Sequence, residues 1–207
     1  MHIELQAVGK RFNTEWIFRD LSFTFQDGSI TAILGRNGSG KSTLMQLIAG
    51  NLHPTRGRII YTLNGIVIPA DRIFRHLSMA APYLELIEEF TLQEMLEFHF
   101  KFKPILSGSK PESLKEMVGF EIPDSKPILQ FSSGMKQRIK LLLALMSDVP
   151  LLLLDEPAMN LDQQGIDWYH RLITTFTLSR TVIICTNQPG VESEFATHQL
   201  RVEDYMI

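Results

Sequence analysis

The sequence predicts an α/β fold: a mostly parallel sheet at the core, an antiparallel β part at the N-terminal end, and an inserted helical segment. Three observations carry this. Residues 29–34 (Ser-Ile-Thr-Ala-Ile-Leu) read as a buried strand, which passes through the glycine-rich stretch Gly35-Arg-Asn-Gly-Ser-Gly-Lys-Ser42 straight into a helical pattern from Thr43. Residues 151–154 (four leucines) and 181–185 (Thr-Val-Ile-Ile-Cys) are apolar runs too short for helices, as parallel strands buried on both faces are, and a helical pattern at 163–176 separates them. Residues 58–63 and 66–68 flank Asn64-Gly65, a strong two-residue hairpin signal.

Taken in order, residues 2–8 alternate weakly and form a strand, and residues 9–16 read as a polar loop with two aromatics, Phe12 and Trp16. Residues 18–25 alternate again, with Leu21, Phe23 and Phe25 on one face. Asp27-Gly28 turns the chain, and Gly50, with Pro54 beyond it, ends the first helix. From about residue 85 to residue 147 the chain reads largely as helix. Thr91 and Glu94 form a capping box for a helix running to about Phe102 before Pro104, and its Phe98, Phe100 and Phe102 are assigned to packing. A short helix over 111–118 has proline near its start, and 133–147 is a helix apolar on nearly all sides after Lys140, hence buried. Residues 198–202 close the chain as an edge strand. The expected organisation is one domain over 1–207, with 1–83 and 148–207 as the α/β core and 84–147 as an inserted helical subdomain.

Composition narrows the function. The 207 residues are 44% hydrophobic and 21% charged, ordinary for a globular protein, and the net charge of -3 provides no basic field for nucleic acid. The single cysteine, Cys185, sits in an apolar run, which fits a small buried core residue in a reducing compartment. No apolar run reaches the ~18 residues that span a bilayer, and the N-terminal stretch lacks the pattern of a secretory signal. The six histidines show no zinc-ligand spacing.

The chemistry concentrates in two places. In the stretch 35–42 the glycines let the backbone point several N–H groups at one anion, and the helix that follows adds its positive end. Lys41 would reach outer phosphates, and the Ser42 hydroxyl would bind Mg²⁺. Leu154-Asp155-Glu156-Pro157 places two acids at the end of a buried strand, where open α/β sheets bind ligands. Asp155 would orient Mg²⁺ through a water. Glu156 would act on a water attacking the outer phosphate, and the chain is expected to turn at Pro157.

With these motifs in this order, the chain resembles the ATP-binding subunit of an ABC transporter, a P-loop NTPase. Four further stretches carry the resemblance: Phe12 upstream of the phosphate loop, Phe131-Ser-Ser-Gly-Met135 followed by Gln137-Arg138, Asn160-Leu-Asp162, and residues 181–187. The resemblance implies that Phe12 stacks on adenine and that Gly35, Arg36, Asn37, Gly38, Ser39, Gly40, Lys41, Ser42 and Thr43 hold the ATP. It implies that Ser42 and Asp155 hold Mg²⁺, and that Glu156, Lys41 and Asn187 serve catalysis. Ser132, Ser133, Gly134 and Met135 would form a signature that closes on the ATP of a second subunit, identical or related, with Asp162 in the adjoining loop. Two-fold, head-to-tail dimerisation would give each signature a nucleotide to close on. A separate transmembrane permease is the implied partner, with the subunit peripheral on the cytoplasmic face of the membrane, not inserted in it, and not bound to nucleic acid.

Three departures from the family pattern stand out. The signature has Ser133 for its usual first glycine and Met135 for its usual glutamine. Pro82 falls where a Mg²⁺-sensing glutamine is usual. Asn187 replaces the switch-loop histidine, and asparagine carries neither a proton nor a charge near neutral pH. Binding and dimerisation are therefore expected to survive, with slow hydrolysis. The alternatives are an ABC-type ATPase acting on a cytoplasmic assembly, whose relatives usually carry paired domains or basic extensions, and a small-molecule kinase, which would need no signature.

Overall fold

A computed structural model describes residues 1–177 and 179–206. β1 (His2–Phe12) and β2 (Glu15–Phe25) pair antiparallel around the turn Asn13-Thr14. Asn13 has φ 51°, which asparagine tolerates well. Residues 9–16 are thus the end of a hairpin, not the polar loop their composition suggests. The register of this pair shifts three times between Leu5 and Arg11, and Ala7 and Asp20 also take positive φ. Such bulges break the two-residue alternation, so a strand that carries Lys10 and Arg11 reads as loop. The Trp16 ring lies against Gly9 and gathers the guanidinium groups of Arg11, Arg19 and Arg56 at 4.2–5.6 Å.

β3 (Ile30–Leu34) leads to α1 (Lys41–Ile48), which opens two residues earlier than its apolar pattern. Gly50 ends it as expected: its N–H donates to Leu47 O and that of Asn51 to Gln46 O, the paired bonds of a Schellman motif. β4 (Arg56–Leu63) and β5 (Ile66–Ile68) flank Asn64-Gly65 and complete a four-stranded antiparallel sheet of order β2-β1-β4-β5.

β6 (Leu77–Ala80), β7 (Leu151–Asp155), β8 (Thr181–Thr186) and β9 (His198–Arg201) join β3 in a five-stranded sheet of order β6-β7-β8-β3-β9. Every neighbouring pair is parallel. β7 and β8 are buried along their whole length, and alternate residues point to opposite faces. Leu151, Leu153, Ile183 and Cys185 pack against α1 and the antiparallel sheet. Leu152, Leu154, Val182 and Ile184 pack against α2 (Leu92–His99), α4 (Ser133–Met146) and α5 (Gln163–Phe176). Each such leucine or isoleucine contributes about 1.5–3 kcal/mol by burial. The fold therefore hangs on the central strands that also carry the site.

Between β6 and β7 helix is sparser than the sequence suggests. α2 and α4 are joined by α3 (Pro111–Met117) and irregular chain, because Pro104, Pro123 and Pro127 break the pattern. The Thr91–Glu94 capping box is present, but α2 ends at His99 rather than near Phe102. Phe100 packs on the core as expected, whereas Phe102 is 72% exposed and half-exposed Phe98 meets it edge to face at 5.2 Å. Buried Arg180 donates to the carbonyls of Leu145, Ser147 and Phe176, satisfying the ends of α4 and α5. Among the described residues no helix is long and apolar enough to cross a membrane.

Candidate functional site

The topology brings three strand ends together. β7, β8 and β3 are neighbours in register, with Asp155 opposite Cys185 and Thr186 opposite Leu34. The loops after them leave the same C-terminal edge, which is where open parallel sheets place ligands. The loop after β3 presses against β2: a Cβ added to Gly40, which has φ 97°, would fall 2.4 Å from Ile17 Cγ2. Lys41 is buried, and its ammonium donates to the Gly35 and Arg36 carbonyls at 2.9 and 3.1 Å. Ile17, Asn37, Gly38, Gly40, Lys41, Ser42, Thr43 and Glu156 line one cleft of about 220 Å³.

Asp155 is the last residue of β7, buried, and neither carboxylate oxygen has a hydrogen-bond partner. Burial pushes its carboxyl above the usual range, and Glu156 adds to this, while Ser42 and Lys41 pull the other way. Two orphaned oxygens beside a hydroxyl are the donor set of a hard divalent cation, so Ser42 and Asp155 fit Mg²⁺. The chain turns at Glu156 itself, not first at Pro157: Glu156 has φ 46°, and its N–H donates to Cys185 O. Positive φ at a non-glycine residue costs energy.

The loop after β8 is braced from below. Glu192, in the short α6 (Pro189–Glu192), accepts from the Thr186 hydroxyl and the Ala158 N–H, joining the loops after β8 and β7. Burial raises its pKa, and these two donors oppose the rise. Asn187 donates from Nδ2 to Asn37 Oδ1 at 2.8 Å, so it touches the phosphate loop although it does not line the 220 Å³ cleft.

Ser132, Ser133, Gly134 and Met135 line a different cleft, of about 410 Å³, with Asn160, Leu161 and Asp162. Ser132 caps α4, accepting from the Met135 N–H at 3.2 Å. Gly134 must be glycine, because a Cβ there would meet Asn160 O at 2.7 Å. Asp162 caps α5 by accepting from the Gly165 N–H, and this bond, with help from Arg138, holds its carboxyl below the usual range. The two clefts share no lining residue. Phe12 ends β1 in neither cleft, half-exposed, with the Lys10 ammonium 4.9 Å from its ring centre.

The ABC transporter family model matches residues 18–159, more than half of the chain and from β2 to the loop beyond Glu156. The chain belongs to the ABC transporter family. It carries that family's ATP-binding cassette. The cassette is 33% identical over 192 residues to Nod factor export ATP-binding protein I of Sinorhizobium fredii, covering 89% of this chain and 55% of that protein. It is 35% identical over 174 residues to taurine import ATP-binding protein TauB of Pelagibacter ubique, covering 82% and 64%. The chain thus spans under two thirds of the length of these two relatives. Its fold matches the dimeric bacterial ABC transporter cassette MJ0796 with TM-score 0.80 and 23% identity over 97% of this chain and 95% of that one.

Several contacts in this cassette carry no motif. Ile17 reaches the cleft only because the hairpin brings β2 over the loop, and nothing in its own stretch marks it. Glu192 belongs to none of the stretches that carry the resemblance. Gln137, quoted above beside the signature, donates to Pro157 O and ties the start of α4 to the loop after Glu156. Pro82 has its carbonyl held by Lys140, on α4.

Proposed function

We propose that this cassette binds ATP with Mg²⁺, closes head-to-tail on a second cassette around two nucleotides, and hydrolyses ATP to drive a separate membrane-spanning partner. The observation that carries the reading is the separation of two half-sites in one chain. The phosphate-loop cleft and the signature cleft have no lining residue in common, which supports a separate nucleotide for each. A two-fold dimer completes each phosphate loop with the other chain's Ser132, Ser133, Gly134 and Met135. The second cassette is an identical or a related chain, and the pair sits at the cytoplasmic face of the membrane.

In each half, the loop from Gly35 to Thr43 holds the phosphates and Phe12 stacks on the adenine. Ser42 and Asp155 would hold Mg²⁺, which when bound would neutralise phosphate charge. Glu156 takes the proton of the attacking water or polarises it. Residues 84–147, the helical subdomain inserted in the core formed by 1–83 and 148–207, offer the surface for the membrane partner. The relatives named for Nod factor export and for taurine import share this motor with different solutes, so the solute is chosen by the partner.

Hydrolysis is slow, because Asn187 reaches Asn37 but carries no charge to place beside the transferred phosphate. Asn187→His is expected to raise steady-state phosphate release by about 100-fold, the lower end of the range for a single electrostatic contact at a reacting centre. Phosphate release from Mg-ATP by the purified chain, with and without this change, is the test. No release from either protein would remove hydrolysis from the reading, and an unchanged rate in the variant would remove the role given to Asn187.

A further inference from the structure

Glu203 lies just beyond β9, far in sequence from the phosphate loop, yet its Oε1 accepts from the Arg36 backbone N–H at 2.9 Å and from the Arg36 Nε at 3.1 Å. The same peptide unit is held at its other end. The carbonyl that shares a plane with the Arg36 N–H is that of Gly35, and it accepts from the Lys41 ammonium at 2.9 Å. The next carbonyl, of Arg36, accepts from Lys41 at 3.1 Å and from the Ser39 N–H at 3.1 Å. A peptide is rigid and planar, so fixing its N–H fixes where its oxygen points.

We propose that Glu203 is a positioning residue for ATP binding: by gripping the Arg36 amide it aims the Gly35 carbonyl at Lys41 and so holds the ammonium in the loop, ready for phosphate. The inference rests on the ATP-binding reading above. The two bonds of Glu203 differ in weight. The Arg36 side chain is 87% exposed, and an ion pair in water contributes little. The bond from the backbone N–H to a carboxylate is charge-assisted and geometrically fixed. The amide N–H also comes first among the causes that hold the Glu203 carboxyl below its usual range, ahead of the guanidinium. What matters at position 203 is therefore an acceptor oxygen at that amide, more than a negative charge beside Arg36. Asn187 grips the neighbouring Asn37 by its side chain and leaves the backbone free to turn, so it does not duplicate this role.

The test is equilibrium titration of the purified chain with a fluorescent ATP analogue and Mg²⁺, alongside thermal melting. Wild-type binding is measured first, and its failure would overturn the ATP-binding reading rather than this one. With wild-type binding established, Glu203→Ala is expected to weaken affinity about tenfold, the effect of losing one hydrogen bond to a charged group. Glu203→Gln keeps an acceptor oxygen and is expected to stay within about threefold of wild type. Both variants should melt within about 2 °C of wild type, since the change lies at the surface. In steady-state hydrolysis Glu203→Ala should raise KM for ATP and leave kcat, because Lys41 regains its place once phosphate is bound. Equal affinity for wild type and Glu203→Ala would overturn the proposal. So would a Glu203→Gln loss as large as that of alanine, or an alanine loss matched by a fall in melting temperature.

Discussion

Replacing Lys41 with alanine is expected to weaken ATP binding by about 100-fold or more while the chain still folds. The ammonium is buried and spends its hydrogen bonds on two carbonyls of its own loop, Gly35 and Arg36. No carboxylate forms an ion pair with it among the described residues, so phosphate would be its first direct ionic partner. Hydrogen bonds to charged groups contribute about 1.5–3 kcal/mol each, and two such bonds to phosphate oxygens account for a loss of this size. Alanine suits the first turn of α1 and leaves the loop's internal Ser39–Arg36 bond in place. Titration with nucleotide measures the loss, and an unchanged melting temperature separates it from unfolding. Retained affinity would mean that the loop does not bind through Lys41.

Glu156→Gln is expected to lower turnover by about 10²–10⁴-fold and leave ATP affinity within a few-fold of wild type, the range for losing a general base. Glutamine has the shape of glutamate and meets the same cost at φ 46°, so the backbone turn after Asp155 is kept. The Glu156 N–H bond to Cys185 O does not involve the side chain and survives. Only the proton-accepting carboxylate is lost. Phosphate release under saturating Mg-ATP is the measurement, and a rate near wild type would move the catalytic role elsewhere in the site.

What could be read in advance follows the physics of each stretch. The strands at 151–154 and 181–185 were legible because a strand buried on both faces has no alternation to lose, and both came out one residue longer at their C-terminal ends. The phosphate loop was legible because its conformation restricts residue types directly: at Gly40 a Cβ has no room, and the signature is restricted in the same way at Gly134. Both strands of the hairpin were legible, but its end at residues 9–16 was not, because the register shifts up to Arg11 break the alternation there. The helical stretch was overextended because Phe and Leu pattern alone does not show how proline divides it. The residues that serve the site from a distance were illegible for a different reason. Glu192 and Glu203 act by gripping backbone groups brought near by the parallel sheet, and an acid that holds an amide looks like any surface acid until the strands are ordered. Ile17 is the same case on the apolar side.

ATP-driven closure requires that the two clefts of one chain serve two different nucleotides. The most direct measurement is the solution mass of Glu156→Gln with and without Mg-ATP, because removal of the carboxylate lets the ATP-bound state persist. A monomer is expected without nucleotide and a dimer with it, and the dimer should disappear when Lys41→Ala is added to the same chain. A chain that binds ATP yet keeps the same mass with and without it would contradict closure through Ser132, Ser133, Gly134 and Met135.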